Sequence, residues 1–287
     1  PMYQALYRKY RPRTFDDVVG QEGVSRTLKT QLQTGHLGHA YLFTGSRGTG
    51  KTSCARILAK AVNCLHPVDG NPCNVCEACR AIDAGSCMDV LEIDAASNNG
   101  VDNVRDLRDD AVYTPSQVKT RVYIIDEVHM LSLSAFNALL KIVEEPPEHL
   151  LFILATTELH KVPATILSRC QRFSFRRLSQ EDIAGRLHYI AYQEGIEAED
   201  AAVQLLARLA DGGMRDGISL LDQCATAADG KLTLDAVYGC LGLAGERMTA
   251  ELMDAVARQD TRCALEIFDK LYGEGKDVAA LLDEMCT

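Results

Sequence analysis

The sequence predicts an α/β protein: a parallel sheet covered by helices on both faces, followed by a small all-helical region. Three observations predict it. Four short apolar runs, Ala40-Tyr-Leu-Phe43, Asp89-Val-Leu-Glu-Ile-Asp94, Arg121-Val-Tyr-Ile-Ile-Asp126 and Leu150-Leu-Phe-Ile-Leu-Ala155, alternate with helical patterns, as strands buried on both sides do. The first run opens into Gly45-Ser46-Arg47-Gly48-Thr49-Gly50-Lys51-Thr52, which fits the phosphate-binding loop G-x-x-x-x-G-K-[ST] and lies between a strand and a helix, as that loop must. From Ser179 onward strand-like runs disappear, and Ala and Leu recur at helical spacing.

With 287 residues, 47% of them hydrophobic, the chain can bury a substantial core and hold two or three domains. No apolar run approaches the roughly 18 residues of a membrane span, and the charged start Tyr7-Arg8-Lys9-Tyr10-Arg11 lacks a signal peptide's apolar segment. These features predict a soluble, cytoplasmic protein with no membrane contact. Pro1 ahead of Met2 reads as an added residue. The net charge of -10 is unevenly spread: residues 1 to 60 carry ten Lys/Arg against three Asp/Glu, while residues from 181 carry nine against twenty-one. An acidic total can therefore hide a basic face, and composition leaves nucleic-acid binding open.

Residues 3 to 20 mix aromatic and basic side chains ahead of a helical stretch ending near Thr34. Arg11, Pro12, Val18 and Val19 belong to this segment, which can fold over an adenine base with Tyr, Pro and Val. In the loop that follows the first strand, Gly45, Gly48 and Gly50 let the backbone aim successive N–H groups at phosphate oxygens. Thr49 and Ser53 add to that cradle, where the N-terminus of a helix from 50 to about 62 supplies partial positive charge. Lys51 is expected to reach the β- and γ-phosphates and the Thr52 hydroxyl to ligate Mg²⁺.

Cys64, Cys73, Cys76 and Cys79 follow with the spacing C-x8-C-x2-C-x2-C, in a loop broken by Pro67, Gly70 and Pro72. Four nearby thiolates can close a tetrahedral structural Zn²⁺ site. An iron-sulfur cluster is the rival; its bacterial ferredoxin run needs a further Cys and then Pro where this chain has Asp83 and Ala84. Four reduced, unliganded thiols are the third reading. Because Cys64 follows the helix and lies far from Lys51, replacing Cys76 is expected to leave ATP binding largely intact. The other seven cysteines are scattered and read as packing residues.

The run Asp89–Asp94 reads as a buried strand, and Val101 to Val112 as an amphipathic helix. Between them, Ala95 to Gly100 either caps that helix or presents hydroxyls and amides to an anion. The strand ending in Asp126-Glu127 has the Walker B pattern: Asp126 can hold the Mg²⁺ bound by Thr52, and Glu127 can orient water. A helix from Ser134 to Glu144 is stopped by Pro146-Pro147. With ligands expected at the carboxyl ends of parallel strands, Thr157 lands beside Asp126. Arg169, in Ser168-Arg169-Cys170, reads on its own as an ordinary surface arginine. Helices are expected at 179–194, 198–210, 215–228 and 233–240, with Arg215 opening the third. Three further helical segments follow Gly245 and run on without a terminator.

Taken together these residues resemble the AAA+ ATPases, and more closely the clamp-loader motor subunits of bacterial DNA polymerase III, the γ/τ family. Tyr10-Arg11-Pro12, Val18-Val19-Gly20-Gln21, the loop Gly45 to Thr52 and the four cysteines carry the likeness. So do Asp126-Glu127-Val128-His129, Glu144-Glu145-Pro146-Pro147, Ala155-Thr156-Thr157, Ser168-Arg169-Cys170 and Gly213-Met214-Arg215-Asp216. The resemblance implies an AAA+ nucleotide-binding domain over 1–178 with an inserted zinc module at about 64–79. It further implies a helical lid over 179–242 and the first helices of a collar over 243–287. It implies ATP, Mg²⁺ and Zn²⁺, and an ATPase that opens a sliding clamp and places it on primer-template DNA. Thr157 would be the first sensor, Arg215 the second, and Arg169 the arginine finger of a neighbouring site. Ser97, Asn98 and Asn99 would begin a helix facing the DNA backbone. Partners would be the delta and delta prime subunits and the clamp, with the full protein in a pentamer and this piece monomeric. Nothing resembles a polymerase active site, so any nucleotidyltransferase activity would belong to the holoenzyme. Two other readings stay open: a nucleotide-binding scaffold without turnover, and a related AAA+ DNA motor such as a branch-migration helicase.

Overall fold

The computed structural model describes residues 4–228 and 230–286; Pro1 lies outside them. The chain divides into two compact units. One holds Arg8–Asp182 together with Asp211–Arg215, and the other holds Ile183–Ala210, the chain from Asp216 on and the described residues before Arg8.

The first unit is built on a parallel sheet with strands β1 (Ala40–Thr44), β2 (Val90–Asp94), β3 (Arg121–Asp126), β4 (Leu150–Thr156) and β5 (Gln171–Ser174), in the order β2-β3-β4-β1-β5. Alternation along each strand supplies both faces. Tyr41, Phe43, Val122, Ile124, Leu151 and Ile153 pack toward the Glu22–Thr34 and Lys51–Asn63 helices. Leu42, Tyr123, Ile125, Phe152 and Leu154 pack toward the Val101–Ala111 and Leu133–Glu144 helices. All seven residues of β4 are buried. Since β4 lies between β1 and β3, the loop after β1 and the acids ending β3 flank its carboxyl end.

Two strands depart from expectation, both at sheet edges. β2 is not a buried strand: none of its residues is fully buried, and Glu92 forms a two-pronged ion pair with Arg56 at 2.5 and 2.7 Å. An edge strand has one neighbour, so its outer positions accept charge. The fifth strand, unforeseen, pairs with the other side of β1 from Tyr41↔Gln171 to Thr44↔Ser174. Its sequence Gln-Arg-Phe-Ser carries one apolar side chain, enough for an edge and too little for an apolar run. The cysteine segment is also more regular than a loop. Val68 and Asn71 exchange backbone hydrogen bonds across an Asp69-Gly70 turn, and a helix runs from Glu77 to Asp83.

The helices expected after Ser179 form at Gln180–Glu194, Asp200–Leu209, Met214–Ala227 and Leu234–Leu241. Helices Glu246–Ala257, Thr261–Gly273 and Val278–Cys286 follow, sharing a core of Leu252, Leu271 and Leu281. The Glu284 carboxylate accepts the Ala244 and Gly245 amides at 3.0 Å each, holding the last helix against the start of the first of these three. No helix among the described residues is long and apolar enough to cross a membrane.

Candidate functional site

The loop after β1 takes its shape from its glycines. Gly45, Gly48 and Gly50 have φ of 143°, 76° and 108°, conformations that a side chain strongly disfavours. A Cβ on Gly45 would lie 2.3 Å from Phe175 O, and one on Gly48 would lie 3.0 Å from Gly213 Cα. The buried Thr49 donates its hydroxyl to Ser46 O at 2.8 Å. Lys51 opens the helix and folds back on the loop, Nζ donating to Gly45 O and Ser46 O at 2.7 Å each. Burial pushes the Lys51 ammonium below its ordinary value, against the pull of Asp126 and Glu127. Ser53, half-buried, follows in the first turn.

From Thr52 a chain of polar contacts crosses the end of β4. Thr52 donates its hydroxyl to Asp126 Oδ2 at 2.7 Å, and Asp126 Oδ1 accepts the Glu127 amide at 2.9 Å. Glu127 has φ of 49°, a left-handed conformation costing a side-chain-bearing residue about 1–3 kcal/mol. Its Oε2 accepts the Thr157 hydroxyl at 3.1 Å. Thr157 therefore meets Glu127 rather than Asp126: the register that pairs Ile125 with Leu154 puts Ala155 level with Asp126, and Thr157 lies two residues beyond.

Sequence reasoning assigned no role to His129, whose side chain is almost wholly buried. Its Nδ1 lies 2.9 Å from Thr156 Oγ1 and 3.3 Å from Glu127 Oε2, and its Nε2 lies 3.1 Å from Glu158 Oε2. Gln21 was likewise unassigned. Its Nε2 donates to Thr49 O at 3.1 Å and to Arg176 O at 2.8 Å, while its Oε1 accepts the Arg176 amide. A buried amide with three backbone partners fixes one rotamer. The only available signal was a polar residue ending an apolar stretch, which is weak.

The remaining predicted residues fall around this centre. Val18 is buried with Cγ1 3.4 Å from where a Gly50 Cβ would sit, and Arg11, Pro12 and Val19 are half-buried along the same segment. Met214 donates its amide to Gly48 O at 2.9 Å, so Arg215 follows a backbone contact with the phosphate loop. Arg169 is half-exposed and turned to its own neighbourhood, bonding Glu144 at 2.5 Å, Thr165 O at 2.8 Å and Ser168 Oγ at 3.1 Å. The Val101–Ala111 helix is capped by Gly100 without a side-chain bond. Ser97 and Asn98 instead turn back to Asp94 O, and Asn99 is exposed.

The sulfurs of Cys64, Cys73, Cys76 and Cys79 all lie within 4.8 Å of one another. Tetrahedral Zn²⁺ with bonds of about 2.3 Å needs sulfurs about 3.8 Å apart, so the set fits with small adjustment. Three sulfurs accept backbone amides: Cys73 N–H to Cys64 Sγ at 3.2 Å, Cys76 N–H to Cys73 Sγ at 3.3 Å and Cys79 N–H to Cys76 Sγ at 3.5 Å. Such donors favour thiolate. The Val75 amide, foremost, holds Cys73 down to about 6, whereas burial raises Cys79.

Three family descriptions match in succession. "DNA polymerase III, delta subunit" covers residues 20–179. "DNA polymerase III clamp loader subunit, ATPase lid domain" covers 182–230, and "DNA polymerase III subunits gamma and tau domain III" covers 232–287. The chain is 52% identical over 284 residues to DNA polymerase III subunit tau of Bacillus subtilis, covering 99% of this chain and 50% of the relative. Against subunit tau of Escherichia coli the identity is 47% over 283 residues, covering 99% and 44%. Against subunit gamma of Buchnera aphidicola it is 40% over 283 residues, covering 99% and 78%. The chain thus spans about half the length of the first two relatives. Among solved structures, the RuvB Holliday junction branch migration motor of Thermotoga maritima aligns with a TM-score of 0.60 at 18% identity, covering 88% of this chain and 80% of that one. At that identity the likeness concerns the fold alone. With the lid and third-domain matches continuing from the nucleotide-binding unit, the chain belongs to the γ/τ family of DNA polymerase III clamp-loader subunits.

Proposed function

We propose that this chain is the ATP-hydrolysing motor of a bacterial clamp loader, opening the sliding clamp and placing it on primer-template DNA within the DNA polymerase III holoenzyme. The contact chain Thr52–Asp126–Glu127–Thr157 carries the reading, because it joins a phosphate loop to an acid that can position water. Lys51 and the backbone amides of Gly45 to Ser53 take the phosphates. Thr52 and Asp126 hold Mg²⁺, which neutralises charge on the β- and γ-oxygens when bound. Glu127 orients the attacking water and Thr157 reports the γ-phosphate through the same carboxylate. Arg11, Pro12, Val18 and Val19 face the base, Arg215 acts as second sensor from the lid, and Arg169 serves a neighbouring subunit's site. Ser97, Asn98 and Asn99 face the DNA backbone.

The proposed domains are the nucleotide-binding domain 1–178, the lid 179–242 and the first collar helices 243–287. Delta and delta prime complete a pentamer in the cytoplasm, and this piece alone is monomeric. ATP turnover is expected to rise when delta, delta prime, the clamp and primed DNA are added to the full-length protein. A rate indifferent to all of them would favour the scaffold, and stimulation by a branched junction instead would favour the helicase.

Cys64, Cys73, Cys76 and Cys79 bind one structural Zn²⁺ in this reading. Elemental analysis should return one zinc per chain, lost on replacing Cys76 with Ser. Iron in its place, or no metal in protein purified without chelator, rules the assignment out.

A further inference from the structure

The distance in sequence between the cysteines and Lys51 predicts two independent centres, but the contacts between them argue otherwise. Asp69 and Gly70, with φ of 50° and 79°, turn the Val68–Asn71 hairpin against the Glu22–Thr34 helix. The approach is so close that a Cβ on Gly70 would lie 2.8 Å from Lys29 O. The buried Asn71 then uses both ends of its amide: Oδ1 accepts the Phe15 N–H at 2.9 Å, and Nδ2 donates to Asp16 Oδ2 at 2.7 Å. Asn74, between Cys73 and Cys76, donates to Arg13 O at 3.1 Å.

Lys60 ties the same module to the phosphate-loop helix. Its side chain is 3% exposed, and Nζ reaches Asn74 Oδ1 at 2.7 Å and Asp83 Oδ1 at 2.9 Å. A buried ammonium is costly unless paired, and both of these partners come from the cysteine module. The other Asp83 oxygen takes Arg13 Nη2 at 3.2 Å. Beyond these anchors the segment continues through the fully buried Phe15 to Val18, against Gly50, and Gln21, bonded to Thr49 O. The module's polar side chains thus grip the back of a segment whose far end lies on the phosphate loop.

We propose that the four-cysteine module is the support that holds the Arg13–Gln21 segment in place beside the phosphate loop, with Asn71 as its positioning residue. The inference rests on the nucleotide reading above and deepens it. The base and ribose end of the nucleotide depends on the module, while the phosphate end depends on Gly45 to Thr52 and on Gln21, which has its own anchor at Arg176. Loosening the module should therefore weaken adenine nucleotides selectively.

The test uses the zinc-loaded chain and its Asn71→Ala variant, which keeps all four cysteines. Zinc content, amide hydrogen exchange at Phe15, and affinities for Mg-ATP and inorganic tripolyphosphate are measured. Asn71→Ala should retain zinc, exchange the Phe15 amide faster and bind ATP about three- to tenfold more weakly, the size of one lost hydrogen bond. Tripolyphosphate affinity should not change. Lys60→Met, which cuts the ties through Asn74 and Asp83, should give the same selective loss and serves if Asn71→Ala does not fold. Unchanged ATP affinity despite faster Phe15 exchange overturns the proposal, as does an equal loss for both ligands. A parent chain that binds neither ligand overturns the nucleotide reading itself, and this inference with it.

Discussion

Arg169→Ala is expected to remove most of the ATP turnover that assembly adds, on the order of 10³- to 10⁵-fold, while leaving the ATP affinity of the isolated chain nearly unchanged. In the proposed function, a phosphate loop, Asp126-Glu127, Thr157 and Arg215 supply the parts that bind Mg-ATP and align water. The cation that meets charge building up during phosphoryl transfer is the part an arginine finger brings from a neighbour. Arg169 is bound to Glu144, Thr165 and Ser168 within its own chain. Both members of the Arg169–Glu144 pair are more than a third exposed, and such a pair contributes about 0–1 kcal/mol. Releasing or sharing it to reach another subunit therefore costs little compared with the rate it gains. Single-turnover hydrolysis by the isolated chain and by the complex reconstituted from full-length subunits measures the effect. Fast, concentration-independent hydrolysis by the isolated chain would remove the need for a donor in trans, and an Arg169→Ala complex still fully stimulated would assign the donor elsewhere.

The second large effect separates Lys51 from Glu127. On the proposed reading, Lys51→Ala deletes a charge that meets phosphate in both ground and transition states, so nucleotide affinity itself should fall about 10- to 100-fold, as expected for a lost charge-assisted hydrogen bond. Glu127→Gln keeps the side chain's size and an acceptor for Thr157, yet it weakens the group that polarises water. ATP should then bind within about threefold of its normal affinity, while turnover drops about 10²- to 10⁴-fold. Fluorescent-nucleotide binding beside single-turnover hydrolysis checks both variants. Equal loss of affinity in the two would show that Glu127 serves binding, and the division of labour would be abandoned.

The parts of this site that could be read from sequence are those encoded by contiguous residues. The phosphate loop and the Asp126-Glu127 strand end each carry their chemistry within a few positions, and β1, β3 and β4 announce themselves through unbroken apolar runs. The parts that escaped are made by pairing across the chain. β5 exists because β1 has a free side for it, and a single Phe in Gln-Arg-Phe-Ser gives no period to detect. β2 was read as buried because Val90, Leu91 and Ile93 are apolar, although Glu92 points to Arg56 at the sheet's edge. Gln21 and His129 act through partners far along the chain, Arg176 and Glu158 among them, and neither residue type announces such a role locally. The spacing of the four cysteines was legible, but the hairpin that carries Asn71 to Phe15 was not, since only the folded backbone brings those residues together.

The position of β4 between β1 and β3 bears on how the protein is made. A ribosome that has released the chain through residue 145 has already delivered the phosphate loop, the cysteine module and β3 with Asp126 and Glu127 at its end. It has not delivered the strand that separates them. Until Leu150–Thr156 emerges and inserts, β1 and β3 lack the neighbour each pairs with in the finished sheet. Their apolar edges are then exposed to misregister and to self-association. Closing a sheet by inserting its centre late is a nonlocal step and therefore a slow one. The vulnerable interval in this protein's biogenesis lies between synthesis of the Pro146-Pro147 segment and the arrival of the fully buried strand that follows it.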